Sequence, residues 1–118
     1  MEQLVYLSLL FDFYGALLTD KQKESLRLHI FEDFSLAEVG DALGISRQAV
    51  YDNIRRAELS MKDYEKKLGL LSRYQEERTA LGEIASRIER LRTVENGDAI
   101  DTILKRMAPL MEGQEAGV

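Results

Sequence analysis

Residues 44–57 read GISRQAVYDNIRRA, and this stretch decides the fold of the chain. Gly44 can adopt the left-handed backbone conformation that ends a helix, and Ser46 is a residue type that caps the start of the next one. Val50, Ile54 and Ala57 then follow at helical spacing. A tight glycine turn between two helices is the pattern of a helix-turn-helix, so we predict that motif here.

Two further helix starts precede this turn. Thr19 with Gln22, and Ser35 with Glu38, both have the spacing of a capping box, in which each residue satisfies a backbone N–H near the other. They predict a helix from about residue 20 and a short helix that ends at Gly44. Before them, residues 3–17 are apolar on nearly every side, which predicts a buried helix packed on more than one side.

The helix after the turn is predicted to be long. Its apolar residues recur at spacings of three and four and form a heptad stripe of Val50, Ile54, Ala57, Met61, Tyr64 and Leu68. Gly40, in the preceding short helix, is small enough to let the two helices cross closely. We expect the longer helix, at about residues 47–68, to be the recognition helix of the motif.

Beyond Gly69 the chain carries two more amphipathic segments separated by ENGD at residues 95–98. A short Asn-Gly turn between them predicts an antiparallel helical hairpin over residues 69–111. The apolar stripe from Leu81 to Leu91 is either core within the chain or a dimer seam. Residues 112–118 are expected to form a flexible tail.

The predicted fold is therefore all-α, with a helix-turn-helix domain over residues 1–68 followed by the hairpin. Sustained two-residue alternation, which would indicate strands, is absent from the sequence. The sequence contains no cysteine, which excludes disulfides and thiolate metal sites. Its apolar N-terminal run is interrupted by Asp12 and is too short to span a bilayer, so we expect a cytoplasmic protein without membrane insertion.

Charge is distributed unevenly along the chain, whose net charge is −5. Residues 1–45 carry three basic and eight acidic side chains, whereas residues 46–67 carry six basic and four acidic ones. Only the second segment, with a net charge of +2, can attract an anionic partner. A nucleic-acid contact would therefore be local and sensitive to salt.

The outward face of the predicted recognition helix supplies the candidate site. Projected at the helical period, its contact residues are Arg47, Gln48, Tyr51, Arg55, Arg56 and Lys62. Gln48 can address adenine and Arg55 guanine, while Arg47 and Arg56 would meet phosphates. Tyr51 can pack on a sugar or a thymine methyl group, or stack on an unpaired RNA base.

Asp52 stands on the same face and repels phosphate. It would assist binding only by accepting from a cytosine amino group or by orienting Arg55. Four cationic contacts predict a log–log salt slope of about −3 to −4 per protomer, so tight binding requires a homodimer. The alternative is an ordinary solvated helix whose arginines pair with neighbouring acids.

Other chemistry has little support in the sequence. His29 is the only histidine and has no second histidine or carboxylate at metal-ligand spacing, so we interpret it as a satisfied or solvated side chain. A glycine-rich phosphate cradle is absent from the sequence, because Gly40 and Gly44 belong to the helix-turn-helix. We therefore predict no cofactor, no metal and no enzymatic activity.

Two resemblances extend this interpretation. SLAEVGDALGISRQAVYDNIRRA, residues 35–57, resembles region 4 of bacterial sigma factors, whose helix-turn-helix reads promoter DNA. More specifically, YGALLTDKQ at residues 14–22, together with SLAEVG and ISRQAVYDNIRRAE, resembles the YlxM family, small bacterial helix-turn-helix proteins typically encoded beside the signal recognition particle GTPase. The second similarity covers roughly residues 4–107.

The two resemblances imply different ligands. The sigma-like pattern implies DNA contact by Arg47, Gln48, Tyr51 and Arg55, although Asp52 replaces the polar or basic residue usual there and the chain is too short for a sigma factor. The YlxM resemblance implies a regulatory role in the signal recognition particle pathway, through its RNA or its GTPase. The alternatives are a protein-interaction adaptor for that GTPase and a DNA-binding transcriptional regulator.

Overall fold

A computed structural model of the protein describes residues 3–112, and within that range the chain is helical without any strand. Its α helices are α1 Gln3–Tyr14, α2 Asp20–Phe31, α3 Leu36–Leu43, α4 Arg47–Leu68, α5 Leu70–Glu89 and α6 Gly97–Met111, and a 3₁₀ turn occupies Gly15–Leu17. The predicted all-α fold is confirmed. Apart from Glu112, the predicted tail at 112–118 lies outside the described residues.

The chain divides into two compact units, Met1–Gly69 and Leu70–Val118. The first contains α1 to α4 and the second contains α5 and α6. Gly69 ends α4 in the left-handed conformation, with φ at 63°, and its N–H donates to the Glu65 carbonyl. A glycine at this position ends the helix without the steric cost that a Cβ would add.

Both predicted capping boxes are present. The Gln22 N–H donates to Thr19 Oγ1 at 3.2 Å, and the Thr19 N–H donates to Gln22 Oε1 at 3.2 Å. At the start of α3, the Ser35 N–H donates to Glu38 Oε1 at 2.8 Å and Ser35 Oγ accepts from the Glu38 N–H at 3.1 Å. These bonds satisfy N–H groups that a helix start otherwise leaves unpaired, and so fix where α2 and α3 begin.

The turn between α3 and α4 has the predicted geometry. Gly44 adopts φ of 69°, and Ser46 Oγ accepts from the Ala49 N–H at 3.0 Å. Gly40 also allows the expected close approach, since a Cβ there would lie only 2.7 Å from the Ile45 carbonyl oxygen. The Ile45 N–H donates to the Gly40 carbonyl at 3.0 Å and holds this short separation.

The core beneath the motif joins α2, α3 and α4. Leu28, Val39 and Val50 are buried at its centre, and Phe34, Leu36, Leu43, Ile45 and Ile54 pack against them. Complete burial of such side chains contributes roughly 1.5–3 kcal/mol each. The α4 stripe continues through Ala57 and Met61, both fully buried, so the predicted heptad face is confirmed as far as Met61.

Beyond Met61 the residues of the stripe are no longer fully buried. Tyr64 stacks on the ring of Tyr14 with their centroids 5.9 Å apart, and the Tyr14 hydroxyl donates to Glu65 at 2.6 Å. Leu68, the last residue of the predicted stripe, is instead 52% exposed. The spacing of apolar residues along a helix shows which side each of them faces. Burial also requires another element packed against the helix at that residue.

The prediction for the N-terminal segment is wrong in two respects. The α helix ends at Tyr14 rather than near residue 17, and only Leu7, Leu10 and Tyr14 of α1 are buried. Leu4 and Val5 are about half exposed, at 54% and 49%. A twelve-residue helix on a small core presents one face to that core, so an apolar composition on every side does not give burial on every side.

The second unit is a pair of packed helices, α5 and α6, as the amphipathic pattern predicts. Its connection differs from the expected Asn-Gly turn: residues 90–96 link the helices, and Gly97 already belongs to α6. Asn96 instead organises the loop, because its Oδ1 accepts from the Thr93 N–H at 2.6 Å and its Nδ2 donates to the Leu91 carbonyl at 2.8 Å. A side-chain bond of this kind can replace a backbone turn.

Candidate nucleic-acid interface

The candidate interface is the outward face of α4, defined here by the exposed residues Arg47, Gln48, Tyr51, Asp52, Arg55 and Arg56. Arg47 is the first residue of the helix and follows the Ser46 cap directly. Because Val50 and Ala57 are anchored in the core, the residues on the opposite side of the same turns are directed to solvent. The structure therefore presents five of the six predicted contact residues as exposed side chains.

Asp52 accepts a hydrogen bond from a residue of the same helix. Its Oδ1 accepts from Gln48 Nε2 at 3.1 Å, one helical turn earlier. The sequence leaves open whether Asp52 accepts from a cytosine amino group or orients Arg55; within residues 3–112 the two side chains form no ion pair. Residues four apart lie side by side on a helix, and the shorter Gln48 amide satisfies the carboxylate without a long side chain being ordered.

The arginines of this face are left free for an anionic partner. Arg47, Arg55 and Arg56 form no ion pair with any residue between positions 3 and 112. Each guanidinium presents a planar set of N–H donors that matches a phosphate. The alternative of an ordinary surface helix with internally paired arginines thus does not describe these three side chains.

Lys62, the sixth predicted contact residue, has a different environment. It is half-buried, and its Nζ lies 3.1 Å from Glu58 Oε2 in an ion pair. Further along α4, Lys67 pairs with Asp63 at 2.9 Å, and the hydrogen bond to Asp63 raises the pKa of Lys67. Two of the lysines in the second half of α4, Lys62 and Lys67, are therefore paired with acids, whereas the arginines of its first half are not paired within the described residues.

A cavity of about 220 Å³ opens beside Tyr51 and Arg55. The residues that line it are His29, Leu36, Tyr51, Ile54, Arg55 and Glu58. His29 Nδ1 lies 2.8 Å from the Phe34 carbonyl oxygen, which confirms the interpretation of a satisfied histidine. Sequence reasoning did not include His29, Leu36 or Glu58 in the site, because α2, α3 and α4 bring them together only in the folded unit.

Two other features of the described residues bear on function. Within positions 3–112, no group of three or more histidine, aspartate or glutamate side chains is arranged to hold a metal ion. None of the helices described above combines the length and apolar character needed to cross a membrane.

Comparison with known proteins gives a family match over most of the chain. Residues 1–107 match the family model described as "UPF0122: Putative helix-turn-helix protein, YlxM / p13 like". A UPF0122 protein of Thermoanaerobacter sp. (strain X514) is 43% identical over 111 residues, which cover 94% of this chain and 95% of that protein.

Similar proteins occur in other bacteria. A UPF0122 protein of Lacticaseibacillus casei (strain BL23) is 48% identical over 100 residues, covering 84% of this chain and 86% of the relative. One of Shouchella clausii (strain KSM-K16) is 38% identical over 110 residues, covering 93% and 98%. The similarity thus includes both compact units and the whole of α4.

Proposed function

The chain belongs to the UPF0122 family of YlxM/p13-like helix-turn-helix proteins, and from that membership we propose that it binds nucleic acid through the outward face of α4. One observation carries the proposal: three unpaired guanidinium groups stand on the exposed first half of the helix that follows the helix-turn-helix turn. In such motifs this part of the second helix enters the groove of a duplex or meets the phosphate backbone.

Each residue of the face has a distinct role in this proposal. Arg47 and Arg56 neutralise phosphates and supply affinity that is independent of sequence. Arg55 and the Gln48–Asp52 pair face the base edges, where a guanidinium donates and the amide and carboxylate accept. Since Lys62 is already paired with Glu58, its contribution is smaller than that of an arginine on the same helix.

We assign the protein to the signal recognition particle pathway, as a regulatory component that binds the particle's RNA. This assignment rests on the resemblance of residues 14–22 and 45–58 to the YlxM family. The signal recognition particle GTPase is the proposed protein partner. The acidic first 45 residues, with a net charge of −5, would restrict RNA contact to the α4 face.

The test is a titration of signal recognition particle RNA and of unrelated duplex DNA with the wild type, Arg47→Ala and Arg55→Ala, at two salt concentrations. Each substitution should weaken binding about tenfold and leave the thermal unfolding midpoint unchanged, since both side chains are exposed. Lys67→Ala is the matched control, because Lys67 is paired with Asp63 at the far end of α4. Unchanged binding in both arginine variants would refute the proposed interface.

A second candidate function is an adaptor that contacts the GTPase without nucleic acid. The observation that favours it is the exposure of Tyr51 and Leu59 on α4, at 44% and 55%. Aromatic and large aliphatic side chains of this kind commonly anchor protein interfaces. Binding to the GTPase without binding to RNA or DNA, lost in Leu59→Ser, would favour the adaptor over the nucleic-acid proposal.

The third candidate is a DNA-binding transcriptional regulator. It would use the same α4 residues as the RNA proposal, so substitutions alone do not separate the two. Tighter binding to one promoter duplex than to signal recognition particle RNA, at matched salt, would favour the regulator.

A further inference from the structure

The cavity beside α4 differs from the rest of the candidate interface because it is concave and is built by three helices. Its volume of about 220 Å³ is below the roughly 300 Å³ at which pockets for drug-sized ligands begin. A space of this size accommodates one small planar ring system. It lies against Tyr51 and Arg55, two residues of the proposed contact face.

The walls of the cavity combine an aromatic platform with polar groups. Tyr51, a residue that is 44% exposed, supplies an aromatic ring, and Leu36 and Ile54 supply apolar surface that packs on the core. Aromatic side chains next to aliphatic ones are the surfaces on which nucleic-acid-binding proteins stack unpaired bases.

His29 is fixed in orientation by its own hydrogen bond. The Phe34 carbonyl can only accept, so the hydrogen of the neutral ring lies on Nδ1 and Nε2 carries a lone pair. Arg55 adds N–H donors on another wall. Donors and an acceptor around an aromatic ring provide what the hydrogen-bonding edge of a base requires.

The charges around the cavity also suit a nucleotide. Glu58 would repel the phosphate beside a base, but Lys62 Nζ lies 3.1 Å from its carboxylate and compensates it. Arg55 forms no ion pair within residues 3–112 and remains available to that phosphate. The cavity is thus a ring-sized space next to an uncompensated guanidinium.

We infer that this cavity receives one unpaired nucleobase, stacked on Tyr51 with its phosphate on Arg55. The inference rests on the proposed nucleic-acid function and refines it: the preferred ligand is a strand with an extruded or looped base, rather than a continuous duplex. A fully paired helix keeps its bases stacked and can offer only its backbone and groove edges to α4.

The test uses a pair of RNA hairpins that differ only in one unpaired nucleotide, and the DNA hairpins of the same sequences. The wild type should bind the RNA with the unpaired nucleotide more tightly than the fully paired RNA. Tyr51→Leu should remove this preference, weakening binding to the unpaired form by about 5- to 150-fold, the range for the loss of one stacked base. Tyr51→Phe keeps the ring and should retain the preference. The DNA hairpins show whether the site distinguishes the sugar.

A second variant and a spectroscopic measurement separate stacking from general weakening. Leu36→Phe should reduce the same preference by filling the cavity, with intact folding checked by circular dichroism. A 2-aminopurine probe at the unpaired position should lose fluorescence on binding to the wild type and Tyr51→Phe, but not to Tyr51→Leu. The same probe within the paired stem is the control.

The outcomes distinguish this inference from the function on which it rests. Equal binding of both RNA hairpins by the wild type, with Arg55→Ala still weakening both, would overturn the base cavity and leave the nucleic-acid interface standing. A preference that persists in Tyr51→Leu would also overturn it. Absence of binding to every hairpin would refute the proposed function and the inference together.

Discussion

Gly40 occupies a position in the helix-turn-helix where an added Cβ would collide with backbone. Its missing side chain allows the Ile45 carbonyl to approach the α3 backbone, and the atom that a Cβ would meet belongs to the main chain. The neighbouring Ile45 N–H is hydrogen-bonded to the Gly40 carbonyl, so this part of the backbone cannot move aside as a flexible side chain can. The sequence indicated this close crossing from the position of a small residue one turn before Gly44.

We predict that Gly40→Ala lowers the free energy of unfolding of the first unit by about 1–3 kcal/mol, the usual cost of overpacking. Urea unfolding followed by circular dichroism measures this change. The matched control is Gly82→Ala in α5, where an added Cβ would meet nothing within 4 Å. That change should stabilise α5 by about 0.5–1 kcal/mol because alanine favours a helix more than glycine does. Equal effects of the two substitutions would contradict the assigned role of Gly40.

Asp52 is the residue that most restrains the candidate interface. Its carboxylate carries negative charge among three unpaired arginines, and its hydrogen bond holds the Gln48 amide. The two effects are separable, since asparagine keeps an oxygen that accepts from Gln48 and removes the charge.

We therefore predict that Asp52→Asn increases affinity for RNA and duplex DNA alike by about fivefold at low salt, as loss of one repulsive contact in water implies. Discrimination between different target sequences should fall at the same time. Titrations at low and high salt measure both effects, and the gain should shrink as salt screens it. Weaker binding to all targets would instead show that the carboxylate contacts the ligand directly.

At the scale of elements, the capping box of α3 links stability to pH. The Ser35 N–H, which donates to Glu38 Oε1, and then the adjacent Ser35 hydroxyl lower the pKa of Glu38 below its ordinary value of 4.5. A carboxyl group with a lowered pKa in the folded state stabilises the protein above its unfolded pKa. That contribution disappears as the pH falls through the folded pKa.

We predict that wild-type stability declines more steeply than that of Glu38→Gln as the pH falls below about 4.5, with the two proteins differing most near neutral pH. Glutamine keeps the box geometry but does not titrate, so the difference isolates the ionised carboxylate. Thermal unfolding midpoints between pH 3 and 7 measure it. Parallel pH profiles for the two proteins would contradict the assigned role of the Glu38 charge.

The helices also show how far periodicity predicts burial. In α4 the stripe from Val50 to Met61 faces the core as its spacing implies, with Val50, Ala57 and Met61 fully buried and Ile54 partly buried. In α1 the apolar residues surround the helix, so no period selects the buried side. In the folded unit, where α1 packs on α4, Leu7 and Leu10 are buried and Leu4 and Val5 are exposed.

At the scale of the whole molecule, net charge limits affinity. With −5 overall and only residues 46–67 positive, a single chain can neutralise few phosphates. The structure reduces the number of cations available to phosphates, because Lys62 is paired with Glu58 and only three unpaired arginines remain on the interface within the described residues. For one protomer, these three contacts imply a slope of about −2 to −3 in a plot of the logarithm of the binding constant against the logarithm of the salt concentration. The smaller value applies to single strands and the larger to duplex DNA.

Two copies would double the cationic surface, and we predict that the protein forms a homodimer of about 27 kDa, twice the 13.5 kDa of the chain. Ile84 and Ile103 remain 46% and 45% exposed on the hairpin helices and are the proposed contacts. Ile84→Glu should convert the dimer to a monomer in sedimentation equilibrium, because a buried unpaired charge disfavours association.

The control for this substitution is Val94→Glu, which adds the same charge at a loop residue that is 98% exposed. It should leave the mass unchanged. A wild-type protein that is monomeric at all accessible concentrations would remove the paired-helix mode of DNA binding.

The sequence by itself determined the helical class, the helix-turn-helix and the residues that begin and end its helices. Caps, left-handed glycines and heptad spacing act over a few residues, so Thr19, Ser35, Gly44 and Ser46 were identifiable without knowledge of distant contacts. The outward positions of Arg47, Gln48, Tyr51, Arg55 and Arg56 followed from the same local geometry.

Only the tertiary structure decided which side of α1 is buried, which cations of α4 are unpaired, and which side chain is hydrogen-bonded to Asp52. It also placed His29 and Leu36 beside Tyr51, although they lie more than a dozen residues before it in the chain. Such juxtapositions depend on how α2, α3 and α4 pack, and no local pattern in a sequence encodes the partner that a side chain meets across a core.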